Sequence, residues 1–401
     1  MTDEVTDLRI EQFRIRNYRV LRDVVLKDIT PLTVLCGPNG SGKSTVIDVF
    51  AFLHTAFTTN LRRAWDERNR LAEIRSRGQE GPVGIEIKYR TNLDGTSRLA
   101  TYSLELGESR GIPVVQTEKL RWTIAPGSGK PKVILDFSNG RGFVFDEVSG
   151  ETRAETLTQS DSLAVSALGQ LSRHPRVTAL RDFISGWYLS YVNVSNLRNT
   201  PISGPSARLS QTGDNLANVL QYLGEQHPDR LSQIFTVLSQ RVPRLEKVLT
   251  EPLPDGRLLL RLKDRPFKEP VLAQFTSDGT LKLLAYLTVL YDPDPPMVIG
   301  IEEPENQLHP RLLPILAEEA RGASARSQLL VTTHSPEFVD ALRANELWSI
   351  SRGPDGFASV SRASDASLVQ NMMRKGASLG DLWREGFLGA DPLSPERGRH
   401  D

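Results

Sequence analysis

The sequence predicts an α/β fold in which a mixed sheet is flanked by helices, with an antiparallel β meander and a helical insertion between the two ends of the chain. Two observations lead to this prediction. A glycine-rich loop near residue 40 joins a short apolar run to a longer one, which is typical of a strand followed by a helix. Two further apolar runs of strand length end at Glu302 and His334, where the edge of a sheet collects polar side chains.

Composition limits the class of protein. The 401 residues suffice for one large α/β domain with elaborations or for two domains, and 39% hydrophobic content favours a substantial core over global disorder. The totals Lys+Arg 49 and Asp+Glu 49 balance, which argues against binding to DNA through overall charge but leaves a local basic patch open.

The single cysteine, Cys36, excludes a disulfide within these residues and is expected to pack in a strand. Residues 1–7 do not resemble a signal peptide and no apolar run is long enough to span a bilayer, so we expect a cytoplasmic protein that does not contact membranes.

The glycine-rich loop, residues 37–45, fits the phosphate-binding pattern G-x-x-x-x-G-K-[ST]. Residues 32–36 before it are apolar and predict a buried strand, and residues 46–53 after it predict a buried helix. Backbone N–H groups at the start of such a helix attract phosphate, and glycines let the backbone approach it closely. A glycine-rich turn that binds nothing is the alternative. The predicted nucleotide contacts are Asn39, Gly40, Ser41, Gly42, Lys43, Ser44 and Thr45.

The rest of the chain divides by pattern. Residues 8–35 predict strands, residues 61–77 an arginine-rich helix, and residues 83–150 an antiparallel meander with a turn at Asn139-Gly140. Residues 161–250 are mainly helical, with a strand-like interruption at 187–192, and strand-like runs return at 346–351 and 357–361. The expected organisation is a head over 1–363, made of a first lobe (about 1–155), a helical insertion (about 156–270) and a second lobe (about 271–363), followed by a C-terminal helix and polar tail over 364–401.

A phosphate-binding loop needs an acid that orients the metal, usually at the end of a neighbouring buried strand. The run 297–301 is such a strand and ends in Glu302 and Glu303. In this interpretation Ser44 and Glu302 bind Mg²⁺, and Glu303 is the general base that activates water. Two adjacent carboxylates in a solvated turn are the alternative reading. The loop and the acids together predict a Mg²⁺-dependent enzyme that hydrolyses a nucleotide.

A third strand, 328–333, ends at His334. A lone histidine is more often a satisfied structural residue than a catalytic one, whereas at the carboxyl edge of a sheet it can reach the γ-phosphate. The residues alone leave both readings open.

Taken together, these segments resemble an ABC-type ATPase head. The motifs are residues 37–45, 277–280 (Ser-Asp-Gly-Thr), 301–306 (Ile-Glu-Glu-Pro-Glu-Asn), 308–310 (Leu-His-Pro) and 332–336 (Thr-Thr-His-Ser-Pro). They are most similar to the RecF-like, SMC-like and overcoming-lysogenization-defect-like bacterial ATPases of the AAA family. The resemblance covers about 8–55 and 270–350, with weaker support at 196–198 and 213–216.

The resemblance implies that two heads sandwich two ATP molecules as a homodimer. Ser277, Asp278 and Gly279 match the signature segment that caps the γ-phosphate held by the opposite head, and His334 matches the switch histidine. Ser277 as a simple helix cap is the alternative, and both roles are compatible. His309 falls where an aspartate often stands, Thr276 and Asp278 depart from the usual leucine and glycine, and the glutamine of the Q-loop has no clear counterpart.

The leading functional hypothesis is an ATP-driven switch that controls a separate effector, such as a nuclease, in DNA repair or anti-phage defence. Only 67 residues follow His334 (401 − 334), fewer than a typical domain, so a nuclease is expected on another polypeptide. The energising subunit of a membrane transporter is the alternative, and a small-molecule kinase or GTPase is a third reading. Nucleic acid stays a possible partner, through the 62–77 arginines or through Arg173, Arg176, Arg181 and Arg198. A solvated helix face is the alternative for the 62–77 arginines.

Overall fold

The computed structural model describes residues 8–93, 95–123 and 131–389. Predictions about residues 1–7 and about the end of the polar tail, 390–401, lie outside these residues. The chain divides into two compact units. Unit 1 comprises Met1–Trp187, Ala344–Ala377 and Leu382–Asp401, and unit 2 comprises Tyr188–Arg343 and Ser378–Asp381.

The secondary structure of unit 1 as far as Trp187 is mainly strand. Its strands are β1 (Arg9–Tyr18), β2 (Leu21–Lys27), β3 (Leu32–Cys36), β4 (Val83–Thr91), β5 (Arg98–Ser109), β6 (Ile112–Trp122), β7 (Lys132–Ser138), β8 (Arg141–Phe145) and β9 (Thr152–Thr156). Its helices are α1 (Lys43–Thr58), α2 (Leu61–Asp66), α3 (Arg70–Ile74), α4 (Ala164–Leu168) and α5 (Pro175–Ser185).

Unit 2 mixes strands and helices along its main segment. The strands are β10 (Tyr188–Ser190), β11 (Leu245–Pro252), β12 (Leu258–Asp264), β13 (Val271–Leu272), β14 (Val298–Glu302) and β15 (Gln328–Thr333). The helices are α6 (Val194–Leu197), α7 (Leu216–Gln226), α8 (Pro228–Arg241), α9 (Asp278–Leu290), α10 (Leu313–Ala323) and α11 (Pro336–Asp340). After Arg343 the chain adds β16 (Leu347–Arg352), β17 (Ala358–Arg362), α12 (Ser367–Arg374) and α13 (Leu379–Arg384).

The large sheet of unit 1 is antiparallel, in the order β2-β1-β4-β5-β6-β7-β8-β9. Along β4 buried and half-buried residues alternate, as expected for a sheet with one face on the core. Helix α1 packs on that face, where Phe50 stacks on Phe13 with ring centroids 4.4 Å apart. The meander predicted for 83–150 is confirmed. Its turn at Asn139-Gly140 has positive φ at both residues (50° and 76°), which the asparagine–glycine pair tolerates at little cost.

A second group of strands in unit 1 carries the glycine-rich loop. Strand β3 pairs in parallel with β16, and β16 pairs antiparallel with β17. Every residue of β3 is buried, including Cys36, which is confirmed as a packed free cysteine. Burial raises the pKa of the Cys36 thiol to about 12, so this thiol stays protonated and unreactive at neutral pH.

Unit 2 contains a parallel sheet in the order β10-β14-β15 and an antiparallel group in the order β11-β12-β13. The residues of β15 are all buried, and α9 is buried at each position from Leu281 to Leu290. Strands buried on both faces read as continuous apolar runs, which explains why the sequence shows them without alternation.

Three local predictions differ from the structure. The helical region ends at Arg241, because β11 and β12 form a hairpin over 245–264 inside the predicted insertion. Its turn is Asp255-Gly256, with φ 83° at the glycine, followed by alternating buried leucines on β12. The arginine-rich stretch 61–77 is two short helices, broken where Asn69 adopts φ 57°. Helix α9 begins at Asp278, earlier than the predicted start near residue 281.

Candidate nucleotide-binding site

The glycine-rich loop of unit 1 leaves buried strand β3 and enters the 16-residue helix α1 at Lys43. Gly40 and Gly42 have φ of 76° and 115°, a backbone conformation that side-chain-bearing residues rarely adopt. A Cβ atom on Gly37 would collide with the Ile350 carbonyl oxygen and with Ser41 Oγ. These glycines therefore fix the path of the loop, as its sequence pattern predicts.

The Lys43 side chain is folded into this loop and is only 4% exposed. Its ammonium group donates hydrogen bonds to the carbonyl oxygens of Gly37 (2.8 Å) and Pro38 (3.2 Å). A buried ammonium on a flexible stem is a mobile point charge, so it can turn from these carbonyls to a phosphate without leaving the loop. Lys43 thus lies where a phosphate-binding lysine is required.

The start of α1 is suited to an anion. In the described structure Gly42 caps the helix without a side-chain hydrogen bond, and the first N–H groups of a helix have no intrahelical acceptor. Ser41 Oγ is buried and has no hydrogen-bond partner among the described residues. Ser44 is exposed and Thr45 half-buried at the same end. A phosphate group satisfies such donors, so the loop residues fit a nucleotide triphosphate.

A partly buried ion-pair network contacts α1 through Asp48. The Asp48 carboxylate accepts hydrogen bonds from the Tyr18 hydroxyl (2.7 Å) and Arg68 Nε (2.8 Å), and lies 2.9 Å from Arg19 Nη1. Arg68 is 8% exposed. Burial, with the nearby Asp48 charge, raises the pKa of the Tyr18 hydroxyl. The sequence places Arg68 among the 62–77 arginines that are possible nucleic-acid contacts, whereas in the fold its guanidinium is paired with Asp48 of α1.

The acidic motif of unit 2 follows β14. Glu302 is the last residue of β14, half-buried, and pairs in register with Thr332 of the parallel neighbour β15. Glu303 has a left-handed backbone (φ 42°), held by hydrogen bonds from its N–H to the carbonyl (3.0 Å) and hydroxyl (3.3 Å) oxygens of Thr332. Such a conformation costs about 1–3 kcal/mol and is typical of functional sites.

Glu303 and His334 lie close together, as expected for the ends of adjacent parallel strands. His334 Nδ1 lies 3.7 Å from Glu303 Oε1 and 3.1 Å from Glu305 Oε1. Glu305 is 8% exposed and also accepts hydrogen bonds from the His334 N–H (2.7 Å) and the Thr333 hydroxyl (2.9 Å). Glu305 belongs to the motif at 301–306, but the sequence predicts no role for it. The contacts show that it orients His334.

The signature segment starts α9. Ser277 Oγ accepts a hydrogen bond from Thr280 N (3.3 Å) and lies 2.7 Å from the Thr280 hydroxyl, so the helix-cap role of Ser277 is confirmed. A Cβ on Gly279 would lie 3.1 Å from the Gln307 carbonyl oxygen, so a larger residue there would displace that backbone oxygen by a few tenths of an ångström. His309 Nδ1 accepts a hydrogen bond from Arg311 N (3.2 Å) and caps a short 3-10 turn.

Lys282 links α9 to the acidic loop, residues 303–306, that follows β14. It is 4% exposed, and its ammonium donates a 2.6 Å hydrogen bond to the carbonyl oxygen of Asn306. Burial lowers the pKa of Lys282, while the Glu305 and Glu303 charges oppose that shift. The Asn306 side chain in turn donates to Glu303 Oε2 (3.3 Å). Within unit 2 the signature helix and the predicted general base therefore share one hydrogen-bonded chain.

The described side chains also fit Mg²⁺. This cation takes oxygen ligands and is usually bound by one or two protein groups, with phosphate oxygens and waters completing its shell. The Ser44 hydroxyl and the Glu302 carboxylate are ligands of this kind. Both reach solvent in their own units.

The four arginines named as possible nucleic-acid contacts each have an acidic neighbour. Arg176 pairs with Glu147 and Arg173 with Glu155, while Arg181 pairs with Asp182 and Arg198 with Asp278. These carboxylates compensate the positive charges that a phosphate backbone would need. Nucleic-acid binding by these residues stays a prediction.

Unit 1 contains a strand–loop–helix motif of the phosphate-binding kind, and unit 2 contains acids and a histidine at the ends of parallel strands; both features are typical of P-loop ATPases. Residues 32–340 match the family described as "AAA domain, putative AbiEii toxin, Type IV TA system", which is most of the chain. The protein therefore belongs to this family of AAA-domain ATPases. No curated protein sequence matches the chain.

Solved structures of SMC heads share the fold. A crystal structure of the SmcHead bound to the C-winged helix domain of ScpA superposes with a TM-score of 0.55 at 14% identity, covering 88% of this chain and 97% of that one. A Smc head domain with an extended coiled coil, bound to the C-terminal domain of ScpA derived from Pyrococcus furiosus, gives 0.53 at 14% identity, covering 92% and 100%. The fold is that of an SMC-type ATPase head. No helix in the described part of the chain is long and apolar enough to cross a membrane.

Proposed function

We propose that the protein is a Mg²⁺-dependent ATPase that works as a conformational switch. ATP binding joins two copies around two ATP molecules, and hydrolysis separates them. The observation that carries the proposal is the Lys43 ammonium, buried among loop carbonyls at a helix start whose N-cap residue, Gly42, has no side chain. A phosphate that replaces these carbonyl oxygens forms a hydrogen bond in which both partners are charged, and such a bond is stronger than one to a neutral carbonyl.

The proposed roles of the residues follow from their chemistry. Lys43 and the loop N–H groups bind the phosphates, and Ser44 and Glu302 hold Mg²⁺, which neutralises charge on the phosphate oxygens when bound. Glu303 takes a proton from the attacking water, and His334, oriented by Glu305, donates a hydrogen bond toward the terminal phosphate. Ser277 of the second copy, with the N-terminus of its α9, caps that phosphate from the opposite side.

The switch is proposed to act on a separate effector in DNA repair or anti-phage defence. Two findings support a partner protein. The description of the matched family names a "putative AbiEii toxin" of a type IV toxin–antitoxin system. Both compared SMC heads are bound to a domain of ScpA. ATP-driven closure gives such a partner two alternative surfaces to recognise.

The test compares ATP binding and phosphate release in the wild type, Lys43→Ala and Lys27→Ala. Lys27 is an exposed lysine at the end of β2 and serves as the matched control. A hydrogen bond to a charged group contributes about 1.5–3 kcal/mol, so Lys43→Ala is expected to weaken ATP binding about 10- to 150-fold. The control is expected to match the wild type. A Lys43→Ala protein that hydrolyses ATP at the wild-type rate would refute the assignment.

A further inference from the structure

In the proposed function the signature segment, residues 277–279, contacts a phosphate of the opposite copy. This segment nevertheless carries a negative charge of its own. Asp278 is the first residue of α9 and directly follows Ser277. A carboxylate in this position favours the helix through its dipole, but it repels an approaching triphosphate. A phosphate-capping role for Ser277 therefore requires a group that cancels the Asp278 charge.

Arg198, the residue after α6, is such a group. Its Nη2 donates hydrogen bonds to Asp278 Oδ1 (2.6 Å) and to the carbonyl oxygen of Thr276 (2.8 Å). One guanidinium nitrogen thus bridges the residues on either side of Ser277. Arg198 Nε is buried and has no hydrogen-bond partner among the described residues. The Arg198 side chain is 29% exposed and that of Asp278 is 47% exposed, so both side chains reach solvent.

We propose that Arg198 is a positioning residue that makes the signature segment able to accept an anion. It cancels the Asp278 carboxylate and holds Thr276 and Asp278 at fixed positions around Ser277, so that the start of α9 presents no net negative charge to the triphosphate. This inference rests on the proposed function, since it assigns the acceptor side of the ATP-bound dimer. A half-exposed ion pair adds little to folding stability, so support of the fold alone is a weak reason for this geometry.

The experiment is a double-mutant cycle on Arg198→Ala and Asp278→Ala, with Arg257→Ala as the control. Arg257 forms a comparable surface pair with Asp255 in the same unit (2.7 Å). The readout is association of the full-length chain with a non-hydrolysable ATP analogue, measured by light scattering at low and high ionic strength. Thermal unfolding without nucleotide is recorded for each variant, to separate loss of folding from loss of association.

Arg198→Ala is expected to weaken nucleotide-dependent association at least about tenfold, because it leaves the carboxylate uncompensated. Asp278→Ala, which leaves the guanidinium charge unopposed, is expected to strengthen association. The double variant is expected to recover most of the tenfold loss of association. High ionic strength is expected to reduce the differences in association between the variants. Arg198→Lys keeps the charge and is expected to retain association, which keeps the test valid should the alanine variant unfold.

Two results would overturn the inference: a double variant as weak as Arg198→Ala, which would indicate direct phosphate contact by Arg198, or an Arg198→Ala protein that associates like Arg257→Ala. Failure of the proposed function looks different, since the wild type itself would then show no nucleotide-dependent association. The two failures are therefore distinguishable in one set of measurements.

Discussion

Glu118 on β6 is a fully buried carboxyl group, and we expect its titration to set the pH dependence of the stability of unit 1. Its oxygens accept hydrogen bonds from the Tyr102 hydroxyl (3.0 Å) and from the backbone N–H groups of Ala164 (2.5 Å) and Val165 (3.1 Å). Burial raises the pKa of Glu118 to about 7, although these hydrogen bonds act in the opposite direction. Desolvation is the larger effect because the side chain is 0% exposed.

The magnitude follows from the pKa difference. The ordinary pKa of a glutamate is 4.5, and the difference from about 7 corresponds to about 3 kcal/mol, since a tenfold change in an equilibrium constant is worth about 1.4 kcal/mol. Because the pKa of Glu118 is higher in the folded protein, Glu118 keeps its proton between about pH 4.5 and about pH 7, whereas in the unfolded chain it releases that proton. The free energy of unfolding is therefore expected to fall as pH rises from about 4.5 to about 7, by about 3 kcal/mol in total.

Tryptophan fluorescence isolates this effect, since all five tryptophans (Trp65, Trp122, Trp187, Trp348 and Trp383) belong to unit 1. Urea unfolding is followed near pH 5 and near pH 8 for the wild type, Glu118→Gln and Glu151→Gln, the last an exposed control. Glu118→Gln cannot titrate, so it is expected to lose most of the pH dependence that the wild type and the control show. Equal pH dependence in all three proteins would refute the reasoning.

Three further predictions concern the site in unit 2. Glu303→Gln is expected to bind ATP and accumulate as a closed dimer, with turnover reduced about 10²- to 10⁴-fold, because only the base is lost; an ATP-bound monomer in light scattering contradicts this. Ser277→Ala is expected to cost about 1 kcal/mol of stability without nucleotide, through the lost helix cap, and also to abolish ATP-dependent association; a loss of stability alone leaves Ser277 as a cap only. Lys282→Met, which removes the hydrogen bond to Asn306, is expected to lower kcat while the KM for ATP stays near wild type; an unchanged kcat shows that the link is dispensable.

The local features of this protein could be read from short stretches of sequence. The loop at 37–45 and the turn at Asn139-Gly140 are specified by glycine and asparagine, because few other residues adopt the required positive φ. The Asp255-Gly256 turn carries the same signal beside the alternating leucines of β12, so the β11–β12 hairpin is also specified by its local sequence.

The partners of charged side chains could not be read in this way. Arg198 and Asp278 are separated by 80 positions, and Glu305 and His334 by 29. A sequence pattern gives the face of an element on which a residue lies, but only the packing of distant elements brings two such faces together. For this reason Arg173, Arg176, Arg181 and Arg198, which the sequence offers as possible nucleic-acid contacts, each have a carboxylate partner in the fold.

The sequence by itself determined the strand–loop–helix phosphate site, the meander and the acids at the strand ends, because backbone preferences and apolar periodicity act over a few residues. The tertiary structure alone decided which charges are compensated: Asp48 by Arg68, Asp278 by Arg198, and the acidic loop by Lys282. Electrostatic interactions depend on distance in space and on burial, and neither is encoded by separation along the chain.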